Sequence, residues 1–535
     1  MTAIVQTVLF MLAVLAAVAV AAKRLNIAPS ILLVVAGIGM ALIPGLPKVT
    51  LAPEVVLLVI LPPLIYSAGV AMSWRDFKFN LRPIALLAFG CVVFTTCAVA
   101  AAAHYLLQFD WAVGFLLGAI ISPTDVVAPL AIARQLGIPR RLVVVLEGEG
   151  LANDATALVL YRFAVAAVST GTFSLPEATA TFGAIVIGEV IYGLAVGWLS
   201  LRLRQWAHEP RVEITLSLMT PYLAFWVPSH LGGSGVLATV ACGLYVSWVG
   251  PRLIPPATRL QGIFFWDLIV YLIEGFVFLV TGLQARMLID HTHVFSIRDL
   301  LIATAITTLI AIAARYIWVF PATYIPRWVN ASLARRDPPP SWTTVFFLAF
   351  TGIRGVDSLA VALAIPYAIM SGTPFPQRDL ILFVTFGVII VTLIGQGAML
   401  PAVVRWLGLN RLASEERVDE IQAELAARQA ALDAVSKRLQ KVIDERELPD
   451  EVIELLRTRN ESREQILPDN LQDGLEHMRI SAAVKKELID TERDFIYELL
   501  RDGKITDEAR RRIEYELDLE EASVANRAQD GGGWF

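Results

Sequence analysis

The chain has 535 residues, of which 56% are hydrophobic and 17% charged, whereas a soluble domain runs about 45–50% apolar and about 25% charged. Residues 1–412 carry 25 Lys+Arg against 18 Asp+Glu, and residues 413–535 carry 19 against 31. With a mean hydropathy of +0.62, this split excludes a secreted domain, a disordered chain and a nucleic-acid binder. It points to a basic membrane body (1–412) with an acidic cytosolic tail (413–535).

The N-terminal apolar stretch, residues 2–22, is followed by Lys23 and Arg24. A signal peptide places its positive charge before the apolar run, so this stretch reads as a first span. A span takes about 20 apolar residues. Such runs lie at 2–22, 27–44, 54–72, 83–107, 112–136, 142–168, 178–203, 213–229, 234–250, 260–285, 299–325, 342–369 and 379–408. Alternate loops hold Lys23, Arg24, Arg75, Lys78, Arg82, Arg134, Arg140, Arg141, Arg202, Arg204, Arg211, Arg252, Arg259, Arg327, Arg335 and Arg336, while the opposite loops hold only Lys48, Arg286, Arg298 and Arg378. The positive-inside rule puts the first set in the cytoplasm. Thirteen spans then place the N-terminus outside and the tail inside. Cys91, Cys97 and Cys242 sit in apolar runs without ligand spacing and imply no disulfide.

Ionisable residues within spans cost about 2.5–3.5 kcal/mol each at a span centre and mark function. They include Asp125, Glu147, Glu149, Asp154, Arg162, Glu189, Asp267, Glu274, Arg315, Arg354 and Asp357. The fifth span carries Ser122-Pro123-Thr124-Asp125 in its middle, and Pro129 beyond. Proline removes a helix donor, so the helix is expected to unwind there, which a membrane tolerates only beside a cavity or site. Asp125 faces the positive end of the half-helix that follows.

The sixth span reads EGEGLANDATALVLYRFAVA. Glu149 and Asn153 are four apart and share a face. Asp154 turns to a different neighbour. Gly148 and Gly150 are expected to leave open space one turn before it. Carboxylate, amide and hydroxyl oxygens at one level suit a hard cation or a proton.

The twelfth span, FFLAFTGIRGVDSLAVALAIP, places Arg354 between Gly352 and Gly355 and reads as a second break. A buried arginine needs a carboxylate. Two interrupted segments, one in each half, point to an inverted-repeat transporter. In the tenth span Glu274 faces the site or Arg354. Arg162 and Arg315 read as structural pairing residues, Glu147 as a surface pair, and His291 with His293 as loop residues. Nothing in the chain has the pattern of a nucleotide site or a catalytic triad, so a gradient must supply the energy.

In the tail, Val418, Ile421, Leu425, Leu432, Val435, Leu439 and Val442 fall at heptad spacing. They predict a coiled coil or helical hairpin over 415–445. Further helices are expected near 480–501 and 507–522.

The motifs SPTDVVAP, GEGLANDATALV, TGIRGVDSLAVALAIP and TFGVIIVTLIGQGAMLP, in that order and spacing, resemble the cation/proton antiporter family, in its sodium/proton exchanger branch of NhaP type. The tail segment LRDGKITDEARRRIEYELDLEEA is similar to the tails of bacterial members. The resemblance implies an all-α membrane protein of thirteen transmembrane helices, with an inverted repeat and two crossed broken helices, that works as a homodimer. It implies that Asp154 binds cation and proton alternately. Asn153, Thr124, Asp125 and Glu149 join it, with Asp154, Thr124 and Glu149 as ligands of a monovalent cation. Ser122, Gly150, Glu274 and Arg354 support the site, Arg354 pairing with Glu149 or Glu274. The Asn153-Asp154 pair is that of the electroneutral branch.

Gly150 stands where the family carries serine, so Gly150→Ser is expected to fit and to tighten sodium over potassium. The reading is therefore exchange of a monovalent cation, sodium first, for a proton across the bacterial inner membrane, in support of pH homeostasis. The rivals are a potassium/proton exchanger and, further off, a channel or sensor. No enzyme activity and no cofactor are expected beyond the transported Na+ or K+ and H+. The expected partners are membrane lipid and a second protomer, with the tail contacting a regulator or that protomer.

Overall fold

The computed structural model describes residues 2–25, 27–43, 52–171, 174–290, 296–369, 372–445, 449–465 and 471–529. His291 and His293 lie outside them. The chain divides into two compact units, Met1–Asn410 and Arg411–Phe535.

Among the described residues of the first unit helix is the only regular element, apart from one isolated bridge between Ala368 and Pro374. That follows from the medium, because backbone groups facing hydrocarbon must be satisfied within their own segment. Among the described residues nine helices are long and apolar enough to cross a membrane. Four of the thirteen apolar runs fall outside that set for visible reasons. Pro29–Ala41 has 13 residues. Pro210–His230 has 21 residues but is less apolar, with Arg211, Glu213, Pro221 and Pro228 inside it. The other two are interrupted: Trp111–Ile121 resumes as Val127–Leu136, and Trp342–Phe350 as Val356–Leu363. Three further runs stay continuous through single π-helical stretches at Val56–Ile60, Leu86–Cys91 and Val391–Gln396, a form frequent at functional sites.

Large apolar side chains face outward along these helices, among them Leu9, Ile187, Leu260 and Leu309. Lipid is as apolar as the core, so packing between helices rests on close approach. A Cβ on Gly37 would lie 2.9 Å from the Gly282 Cα, and one on Gly282 would lie 2.8 Å from the Gly37 Cα. Trp206 and Trp328 stand exposed at helix ends beside Arg204 and Arg327, as interfacial aromatic anchors do.

Three of the loops that carry the excess basic charge meet at one end of the body. Arg140 pairs with Asp76 at 3.0 Å, Arg141 with Asp337 at 2.7 Å, and Arg327 with the same Asp337 at 2.5 Å. Arg141 also donates to Asn80 Oδ1.

In the second unit Leu409–Glu445, which begins just inside the first, is followed by Asp450–Gln465, Leu471–Arg501 and Asp507–Gln529. Leu432 is buried, but Val418 and Val435 of the same heptad face are 47% and 43% exposed. Asn460 donates to Ser436 Oγ at 2.6 Å, which joins the first two helices as a hairpin. Ile489 and Ile496 of the third helix and Leu517 of the fourth are buried. Arg493 bridges these two helices, to Asp518 at 2.5 Å and Glu521 at 2.7 Å.

Candidate functional site

The two interruptions lie against each other. The Asp125 amide, in the first break, donates to the Ile353 carbonyl in the second at 2.8 Å. Arg354 Nε returns a bond to the Ile121 carbonyl at 2.7 Å, and its Nη1 donates to the Gly352 carbonyl. The last carbonyls of a helix have no intrahelical partner, and here a buried guanidinium takes the one of Ile121 together with one inside the second break. The Arg354 amide is held by Thr392 Oγ1 at 3.1 Å, on one of the π-helical stretches. Asp125 Oδ1 accepts the Val127 amide at 2.8 Å, where the second half-helix starts. Its side chain lies over Gly355, where an added Cβ would come within 2.3 Å of Asp125. Only glycine fits at this crossing.

Arg140–Thr170 runs past the crossing without interruption and presents two carboxylates to it. Glu149, 1% exposed, is bound by both terminal nitrogens of Arg315, the Nη2–Oε2 contact being 2.9 Å. Arg315 also donates to the Leu348 carbonyl near the end of Trp342–Phe350. Thr124 Oγ1 donates to Glu149 at 2.9 Å. Asn153 Nδ2 donates to the Thr124 carbonyl at 2.8 Å and to its hydroxyl at 3.2 Å. Ser122 is buried and donates to the Ala119 carbonyl.

Asp154 differs. It is half-buried and has no hydrogen-bond donor or ion-pair partner among the described residues. It lines a cavity of about 10 Å³ together with Leu57, Leu61, Ala119, Pro123, Ala157, Leu158, Val361 and Asp357.

Three expectations need correction. The arginine that holds Glu149 is Arg315, and Arg354 is satisfied by carbonyl oxygens rather than by Glu149 or Glu274. Glu274 lies half-buried on Pro256–Asp290. Both Glu149 oxygens are spent on Arg315 and Thr124, so a carboxylate read as a cation ligand is a fixed counter-charge in this conformation. The glycines before Asp154 leave no open space: a Cβ on Gly150 would lie 2.5 Å from Val126 Cγ2 and 3.0 Å from its Cγ1, and one on Gly148 would meet Ile84 at 2.3 Å. Valine is stiff about χ1, so a serine at 150 meets the first break rather than an ion.

Glu189 stands apart from the site. It is 3% exposed and accepts the amides of Gly235 and Leu237 at 3.0 and 3.1 Å, closing the N-terminus of Val236–Leu253. Asp357 is the residue that the motif reading left without a role. Its signal was its place three residues after Arg354, just beyond the second break.

A polytopic helical body in which two broken helices cross beside an unpaired carboxylate is the architecture of a secondary transporter. The chain belongs to the sodium/hydrogen exchanger family, whose transmembrane model matches residues 10–406. It is 34% identical over 520 residues to an uncharacterised Na+/H+ exchanger of Mycobacterium tuberculosis, covering 94% of this chain and 93% of that one. It is 30% identical over 486 residues to the low-affinity Na+/H+ antiporter NhaS1 of Synechocystis, covering 89% and 88%. A sodium, potassium, lithium and rubidium/H+ antiporter of Bacillus pumilus is 32% identical over 401 residues, covering 73% and 58%. The structure of the sodium proton antiporter MjNhaP1 of Methanocaldococcus jannaschii superposes with a TM-score of 0.57 over 76% of this chain and 99% of that one, at 18% identity. That likeness is one of fold. The protein is thus a multi-pass membrane cation/proton exchanger.

Proposed function

We propose that the protein exchanges one monovalent cation, sodium first, for one proton, by competition at Asp154 and alternating access. The observation that carries this is the contrast in partners. Glu149 and Arg354 are satisfied by the protein and Asp125 is held by the Val127 amide, whereas Asp154 faces a cavity without a donor. A carboxylate left so in a span is costly, and a cation or a proton relieves the cost. One group cannot hold both, so filling by one expels the other. Exposure to each side in turn makes the competition an exchange, and one-for-one exchange moves no net charge.

Thr124, Asn153 and the Glu149–Arg315 pair hold the first break against the Asp154 helix. Arg354 and Asp125 lock the two breaks together, so a change of access moves them as one body. The topology that fits is thirteen spans in an inverted repeat, with the N-terminus outside the inner membrane. The acidic tail and the cluster of Asp76, Arg141, Arg327 and Asp337 lie at the cytoplasmic face. The working form is a homodimer in lipid, with the tail free to meet a regulator or the other protomer.

The test is dequenching of a pH dye in vesicles, with sodium, lithium and potassium in parallel arms. Sodium-driven proton movement by the wild type is expected, with an apparent sodium constant that rises as pH falls, because protons occupy Asp154 first. A sodium constant independent of pH would overturn the competition. Potassium exchange is the second reading, favoured by the B. pumilus relative whose name includes that ion, and the potassium arm decides it.

A further inference from the structure

We propose that Asp357 is a second carboxylate ligand of the transported cation, facing Asp154 across the shared cavity. The proposal rests on the reading of Asp154 as the cation site and adds a residue to it.

Asp154 comes from the continuous helix Arg140–Thr170 and Asp357 from the first turn of Val356–Leu363, beyond the second break. Among the described residues they are the two ionisable ones lining the cavity, and its other walls are apolar or proline. Like Asp154, Asp357 has no hydrogen-bond donor or ion-pair partner among the described residues. Two further buried oxygens lie beside the pair in sequence, outside the cavity lining. Asn153 is 0% exposed and its Oδ1 has no partner, although its Nδ2 is used twice. Ser358 is 1% exposed and its Oγ has none either. Unpartnered buried oxygens are rare in folded proteins. Here they belong to the residue before Asp154 and the residue after Asp357.

The charges on every side point the same way. From the first break comes Asp125, whose Oδ1 is bound to the Val127 amide. The two buried guanidinium groups of this region are committed elsewhere, Arg315 to Glu149 and Leu348, and Arg354 to the carbonyls of Ile121 and Gly352. Among the described residues no lysine, arginine or histidine lines the cavity. Two carboxylates in so small an apolar space repel, and an ion between them removes that cost. The volume of about 10 Å³ is near the least that admits one water, which suits a largely dehydrated monovalent ion with oxygen ligands. A cation held by both residues would also tie the uninterrupted helix to the second broken one, so occupancy is communicated to the element whose break is locked to the first.

The test uses the full-length protein. Apparent sodium constants are measured in vesicles for wild type, Asp357→Asn and Asp357→Glu, with Asp154→Asn as control. The sodium concentration that half-stabilises each protein against heat is measured in detergent. Asp357→Asn is expected to raise both quantities tenfold or more, and Asp357→Glu to bring them back within threefold of wild type. Values for Asp357→Asn within twofold of wild type overturn the proposal. If Asp357→Asn exchanges nothing, the melts decide alone: a tenfold shift supports it and an unshifted midpoint overturns it. Should Asp357→Asn not fold, Asp357→Ser enters the same melt with the same criteria. An Asp154→Asn protein that still exchanges overturns the reading of Asp154 instead, and the sodium melts of Asp357 variants then judge this proposal by themselves.

Discussion

Glu149 and Asp154 lie five residues apart on one uninterrupted helix, and they have opposite fates. Glu149 is clasped by Arg315 and capped by Thr124, every oxygen answered from within the protein. Asp154 has turned past that cluster to a cavity where the facing charged group is another acid. Composition cannot distinguish the two, and burial alone would rank Glu149 as the stranger residue. Partners distinguish them. A buried carboxylate with a full set of donors is architecture, and one without them is a place for something that is not protein.

The comparison predicts its largest effect at Asp154. Asp154→Asn keeps the shape of the side chain and removes its charge, so exchange should vanish while the yield and melting temperature of the purified protein stay near wild type. Residual sodium-driven proton movement in vesicles would mean that the carboxylate is not the exchanging group.

At Glu149 the expected loss is of stability. Arg315→Ala leaves the Glu149 charge buried without a partner, which costs about 3–5 kcal/mol, read as a large fall in the detergent melt. Replacing both members by apolar residues of similar volume removes the uncompensated charge. Arg315→Met with Glu149→Met should therefore melt well above Arg315→Ala. If the double variant is no better than the single one, the pair is not the closed unit described here.

How much of this was legible beforehand follows the range of the chemistry involved. Both breaks were readable, because Pro123 and the glycines around Arg354 act on their own segments. The candidate Asp154 was readable too, since cost inside a span is local. What failed was pairing. Arg315 and Glu149 are 166 residues apart, and helical period says which face a residue is on without saying which of Arg162, Arg315 and Arg354 will arrive there. A buried arginine is expected to need a carboxylate, and Arg354 instead donates to carbonyls that the two breaks leave open. The tail shows the same limit, since heptad spacing leaves a coiled coil and a helical hairpin both open and does not single out the contact of Ser436 with Asn460.

Gly150 lies between the two carboxylates and makes a smaller prediction. A serine there should not act on the ion, because its Cβ meets Val126. Overpacking of this kind costs about 1–3 kcal/mol. Gly150→Ser should lower the melting temperature and leave the ratio of apparent sodium to potassium constants unchanged. Adding Val126→Ala should restore most of the stability. A shifted ratio with unchanged stability would mean that the hydroxyl reaches the cation after all.

The smallest expected effect is no effect, and it bears on both regions at once. One cation exchanged for one proton carries no net charge, so a membrane potential imposed with a potassium gradient and valinomycin should leave the rate of sodium/proton exchange unchanged. The contrast between the two carboxylates sharpens what a failure would mean. Glu149 is neutralised by Arg315 and cannot give up that partner without stranding a buried guanidinium, so it is a poor carrier of extra charge. Asp357 has no such tie. If voltage does drive the exchange, the second charge belongs to Asp357, and Asp357→Asn should abolish the voltage dependence while Glu149→Gln should not. A voltage-dependent rate that survives Asp357→Asn would place the moving charge outside the cavity shared with Asp154, and the division of this helix into a closed and an open carboxylate would fall with it.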